Sequence, residues 1–257
     1  MSKDITAVLA GWEHDPDEMQ VRIVAGNDGR DKIQMRVDMG VLQMELSGRP
    51  DGLRPDGYES LFDAQEHKAR AAEARGEPYT LDSPACVALL REGAQYYQRY
   101  HAAFHIQRFD LVVRDTERNL RLFAFVVRHA ERQRDKFQFD QYRPYVLMMR
   151  TRGRAHQALV TSDYDAALAA IDEGVADIRH FLAEYDQADN EAECSELGTL
   201  LRFRQQVDND RPVGPAERLE QQLVRAVTQE EYEKAAQLRD QLRRLHGPAA
   251  RLKPRTV

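Results

Sequence analysis

Cysteine is almost missing from this chain. Cys86 and Cys194 stand far apart and neither belongs to a CxxC pair; a disulfide framework and a zinc knuckle are excluded, and a reducing cytoplasm fits. Long apolar runs are missing too. No stretch approaches the roughly 18 consecutive apolar residues that span a bilayer. The opening MSKDITAVLAGWEHDPDE lacks the basic-then-apolar pattern of a secretion signal, so a cytoplasmic protein with no membrane partner is expected. Lysine is scarce, six residues against 31 Arg, and the net charge is -6. A wholesale basic coat for nucleic acid is thereby excluded, although a local basic face is not. Nor is there a GxxxxGK[ST] phosphate loop, a GxGxxG, a GxSxG or a Cys–His signature, and no carboxylate pair sits in a glycine-framed cleft. No catalytic residue and no cofactor is expected.

What is present suits a helical protein. Of 257 residues, 42% are hydrophobic and 31% charged, enough for a core of one or two domains beneath highly polar helices. Three Gly/Pro clusters punctuate the chain: GRPDGLRPDG at 48–57, GEPYTLDSP at 76–84 and DNDRPVGP at 208–215. They predict a β-hairpin region over 1–60, a linker at 61–83, an α-helical bundle over 84–207, a second linker at 208–215, a helical hairpin over 216–246 and a flexible tail at 247–257.

In the first region Val21 and Ile23 alternate with polar residues, then Asn27-Asp28-Gly29 offers a turn, and Ile33, Met35, Val37 and Met39 alternate again. That is a hairpin signal, with the second row expected buried on one side. Gly40 shifts the apolar phase to Leu42, Met44 and Leu46, as a bulge or strand break would. A lone hairpin is marginal in water, so it must dock on the helices or on a partner. Met35, Met39 and Met44 could form an adaptable face or ordinary core.

From Ser83 the period becomes helical. Ser83-Pro84 reads as an N-cap and first-turn proline, and helices are expected at about 84–107, 109–134, 140–161, 163–185 and 191–207. Short connections make antiparallel pairs. The pairs look like tetratricopeptide units in architecture only, because their spacing does not match that repeat. His101 and His105 share a helical face, but without an HExxH or a third ligand no metal site is expected. Arg114, Arg118, Arg121, Arg128 and Arg132 with Phe125 form one stripe on the second helix. Residues 112–154 hold 11 Lys/Arg against five Asp/Glu. The stripe is either a solvated face or a strip for phosphate or an acidic partner.

The segment PAERLEQQLVRAVTQEEYEKAAQLRDQLRRLH carries Leu219, Leu223, Ala226 and Val227 on one helical face and Tyr232, Ala235, Leu238, Leu242 and Leu245 on another. Thr228 and Glu231 have the spacing of a capping box, flanked by Val227 and Tyr232 as a hydrophobic staple. Ala235-Ala236 permits close backbone approach. An αα-hairpin is expected.

EEYEKAAQLRDQL at 230–242 resembles the UVR motif, the helical hairpin of the bacterial excision-repair proteins UvrB and UvrC, of the ATPase ClpC and of its cofactor McsA. The resemblance covers about an eighth of the chain, and the helicase, ATPase, nuclease and paired CxxC features of those proteins are missing. It implies a protein–protein contact in which Leu219, Leu223, Tyr232, Ala235, Ala236, Leu238, Arg239 and Leu242 build the hairpin or its docking face. With Val227 from the staple, these are the candidate partner-binding residues. The overall expectation is a mainly α adaptor with an N-terminal β-hairpin region, its hairpin docking another protein, such as one with a UVR hairpin of its own. The alternative is an accessory excision-repair factor binding nucleic acid through the arginine stripe, and a third is an enzyme centred on His101 and His105.

Overall fold

A computed structural model describes residues 4–212 and 214–245; the tail expected at 247–257 lies outside them. The chain divides into two compact units near Asp208 and Asn209.

The first unit begins with a short helix α1 (Thr6–Leu9) and a three-stranded antiparallel sheet of β1 (Val21–Ala25), β2 (Asp31–Val37) and β3 (Gly40–Glu45) in that order. Ile33 pairs with Ile23 on one side and Met44 on the other. Gly29 at φ +75° closes the first turn, a backbone state open to glycine at little cost. Ile33, Met35 and Met44 are buried against Ala102, Ala103, Leu111 and Val112 of the helices. The sheet thus docks on the bundle, and Met35 and Met44 are core. Met39 corrects the expected row: it sits in the turn between β2 and β3 and is 90% exposed, while Val37 is only partly buried. The phase shift at Gly40 marks a third strand. The polar face of β2 is covered as well. Lys32 Nζ bridges Asp28 and Glu45 at 2.7 and 2.5 Å, Arg36 Nε donates to the Trp12 carbonyl at 2.9 Å, and the Arg22 guanidinium lies 3.8 Å over the Trp12 ring.

Residues 61–83 are not a plain linker. Helix α2 (Leu61–Ala74) starts at Ser60, whose side chain accepts from the Asp63 amide, and buries Phe62, Ala64, Ala69 and Ala72. Its apolar face is mostly alanine, which a search for large periodic residues passes over.

Helices α3 (Ser83–His105), α4 (Phe109–His129), α5 (Gln133–Asp140), α6 (Arg143–Val160), α7 (Tyr164–Glu184) and α8 (Ser195–Asp210) follow. Asp82, one residue before the expected cap, accepts from the Ala85 amide. The second helix stops at His129 because Leu81 forms a strand-like bridge there: its amide donates to the His129 carbonyl at 2.8 Å, and its carbonyl accepts from Glu131 at 3.1 Å. The α6 and α7 backbones approach so closely that a Cβ on Gly174 would fall 1.9 Å from Thr151 Oγ1. One core cluster lies among α6, α7 and α8 with Tyr100 beneath, and a second among α2, α3, α4 and Phe139 of α5.

The second unit holds α9 (Pro215–Thr228) and α10 (Tyr232–Leu245).

Candidate partner-docking hairpin

Helices α9 and α10 are joined by three residues whose backbone closes the first helix. The Glu231 amide donates to the Ala226 carbonyl at 2.8 Å and the Glu230 amide to Val227 at 3.1 Å, with Glu230 at φ +58°. This is a Schellman closure, with a carboxylate side chain where glycine is usual. It displaces the expected capping box. Thr228 is the last residue of α9, and its hydroxyl donates back to the Val224 carbonyl at 2.9 Å instead of capping α10. The expected staple is absent too, since Val227 and Tyr232 are both largely exposed.

The seam between the helices is thin. Ala226, Ala235 and Leu238 form its buried cluster, with Leu219 and Leu223 partly buried against it, and Leu242 is buried. Of the nine candidate partner-binding residues, Leu219, Leu223, Ala235, Leu238 and Leu242 therefore face inward and hold the hairpin together. The other four, Val227, Tyr232, Ala236 and Arg239, are exposed. Val224, at 65% exposure, joins Val227 at 52% and Tyr232 at 69%. Helical spacing puts Val224 and Val227 in one row beside the seam, and Tyr232, Ala236 and Arg239 in another. In an antiparallel pair both rows lie on the same flank. Val224 was missed by the sequence reading, although its i, i+3 relation to Val227 was available as a signal.

The family model described as "UvrB/uvrC motif" matches residues 215–247. The C-terminal helix pair is the part of the chain that is similar to that motif. UVR hairpins are known from excision-repair proteins and mediate protein interactions. No curated protein and no solved structure matches the chain.

The other candidate residues lie in the first unit, and the structure separates them. Arg118 is buried at 7% exposure. Its Nη2 pairs with Glu92 Oε1, and its guanidinium lies 4.0 Å from the Tyr96 ring centroid. Burial holds the Arg118 pKa below the usual guanidinium value, opposed by the Glu92 charge. Arg114 is exposed and engages the buried Asp115 at 2.9 Å, Arg121 lies over the Phe62 ring at 5.7 Å, and Phe125 packs edge-on against Phe62 at 5.5 Å. Arg128 is exposed at the end of α4, and Arg132 lies beyond it as the residue before α5. The six residues do not form a continuous exposed strip, because α4 is buried over much of its circumference. His101 is half-buried, its Nε2 2.9 Å from the Tyr145 hydroxyl, while His105 is exposed. Among the described residues no group of three or more His, Cys, Asp or Glu could hold a metal ion, and no helix is long and apolar enough to cross a membrane.

Proposed function

We propose that this protein is a non-catalytic adaptor whose UVR hairpin captures a partner protein on the flank of Val224, Val227, Tyr232, Ala236 and Arg239. The observation that carries the reading is that flank: large apolar side chains left in water beside a seam that is already closed. An exposed apolar patch with an aromatic anchor and an arginine at its edge has the composition of a docking surface. A second helical hairpin is the occupant that fits best, because it would complete a four-helix arrangement over the patch.

A photo-crosslinking residue placed at Tyr232 tests this in the source cell. The expected result is a discrete adduct with one protein, competed by the unmodified chain and lost when Val227→Asp is added. Leu238→Asp, by contrast, breaks the seam and reports hairpin folding. An adduct indifferent to Val227→Asp, or unchanged when the same probe sits on the α7 surface, sinks the proposal.

A further inference from the structure

In the first unit, four helices converge on a cleft of about 540 Å³, a size suited to a small ligand. Tyr97 and Tyr100 reach it from α3, Phe123 from α4, Tyr145 from the first turn of α6 with Tyr142 just before it, and Glu196 from the first turn of α8. Tyr100 and Phe123 are buried and make the floor, while Tyr97 and Tyr142 are 37% and 51% exposed and stand as walls. The rings are mutually braced. Tyr97 meets Tyr100 edge-on at 5.5 Å and Tyr145 at 6.0 Å, and the Tyr145 hydroxyl is held by His101 at 2.9 Å.

The charge in the cleft is negative and has no internal counterpart. Elsewhere in the first unit the buried carboxylates Asp115, Glu92 and Asp140 are each met by an arginine, Arg99, Arg118 and Arg143 in turn. Half-buried Glu196 accepts only from the Ser195 hydroxyl at 3.0 Å and the Cys194 thiol at 3.7 Å, and among the described residues no lysine or arginine pairs with it. Arg143 pairs with Asp140 and Glu184 at 2.6 Å each, and the Arg152 guanidinium lies 4.3 Å from the Phe104 ring. Asn119 is occupied by Gly93 and Arg118. The groove over Tyr79 and Phe125 differs, since Arg70 and Arg128 stand there among Glu66, Glu73 and Glu77.

Several π faces around one carboxylate attract an organic cation whose charge is spread over apolar substituents. We propose that this cleft binds an alkylammonium group, its N-alkyl shell against Tyr97, Tyr142 and Tyr145 and its charge facing Glu196. The site is independent of the hairpin and of the adaptor reading.

Calorimetric titration of the full chain tests it, with choline as probe, its neutral isostere 3,3-dimethylbutan-1-ol as control, and a trimethyllysine peptide beside its unmethylated twin. Saturable binding of the trimethylammonium probes is expected, with the isostere weaker by about tenfold or more. Glu196→Gln should weaken binding by about tenfold with unchanged thermal melting, and Tyr142→Ala, at a half-exposed wall, should do the same. A preference for the peptide over choline identifies a protein side chain as the source of the ammonium group, and equal affinity identifies a free amine. The proposal is overturned if the isostere binds as well as choline, if neither cation saturates, or if both variants bind like the parent.

Discussion

Arg118 and Glu92 show how a single buried pair organises this protein. The Glu92 carboxylate accepts from the Leu61 and Phe62 amides at 2.7 and 3.1 Å as well as from Arg118, so one side chain on α3 anchors both α4 and the first turn of α2. Removing Glu92 strands the Arg118 charge in the core, a loss of about 3–5 kcal/mol, whereas removing Arg118 leaves Glu92 with Arg49 at 3.5 Å and the two amides. Urea unfolding should therefore show a larger loss for Glu92→Ala than for Arg118→Ala, and the double replacement Glu92→Leu/Arg118→Met should lose less than their sum. Helical spacing on α4 did reveal an arginine row, but it could not reveal that Arg118 meets a carboxylate 26 residues earlier. A charge pattern reads the same whether its partner is water or a buried acid. Histidine carries a second consequence. Burial holds His101, His129 and His156 below their ordinary value of 6.5, and His156 lies stacked on Phe109 at 4.8 Å. The unfolded chain therefore takes up protons below that value more readily than the folded one, and stability present above it is lost as pH falls. The melting temperature should hold near about pH 7.5 and decline toward about pH 5.5, with His156→Phe flattening the slope.

At the level of elements, the chain closes its helices by one device used repeatedly. Gln107, Ser162, Asp186 and Glu230 all adopt positive φ, and the amide after each donates to a carbonyl five residues back: Arg108 to Ala103, Asp163 to Ala158, Gln187 to Leu182 and Glu231 to Ala226. Gly76 does the same with its natural residue. Side chains at the other four positions carry conformational strain, so Glu230→Gly should stabilise the hairpin by about 1 kcal/mol. Hydrogen exchange of the α9 amides would register the gain. This device also explains what the sequence reading missed. Helix positions were legible from their period, but a closure without glycine leaves no signal, so the Thr228 capping box looked plausible. The Leu81 bridge that ends α4 is non-local and left none either. On the hairpin, the heptad-like pattern identified the pairing helices correctly. It could not divide seam from flank, because Val227 and Tyr232 lie at the margin of the apolar arc, where a small rotation decides exposure.

Taken whole, each unit has its own buried residues. Among the described residues the hairpin's buried cluster lies within 219–238, with Leu242 also buried, and the larger clusters are built from residues before Asp208. Deleting 214–257 should therefore leave the calorimetric melting of the remaining protein nearly unchanged while removing partner capture; a collapse of that transition would place the hairpin within the main fold. The mainly helical class, the N-terminal β region and the UVR hairpin were all legible from period and punctuation. The N-terminal segment was not. Its attachment to the sheet runs through the Trp12 and Val8 carbonyls and Arg36 and Arg22, contacts with no periodic trace. That attachment also governs what light can report. Trp12 is the single tryptophan of the chain, half-buried beneath the Arg22 guanidinium, so the intrinsic indole emission is a local gauge. It follows the release of residues 4–20 from the sheet directly, and senses the helices only through the sheet that docks on them.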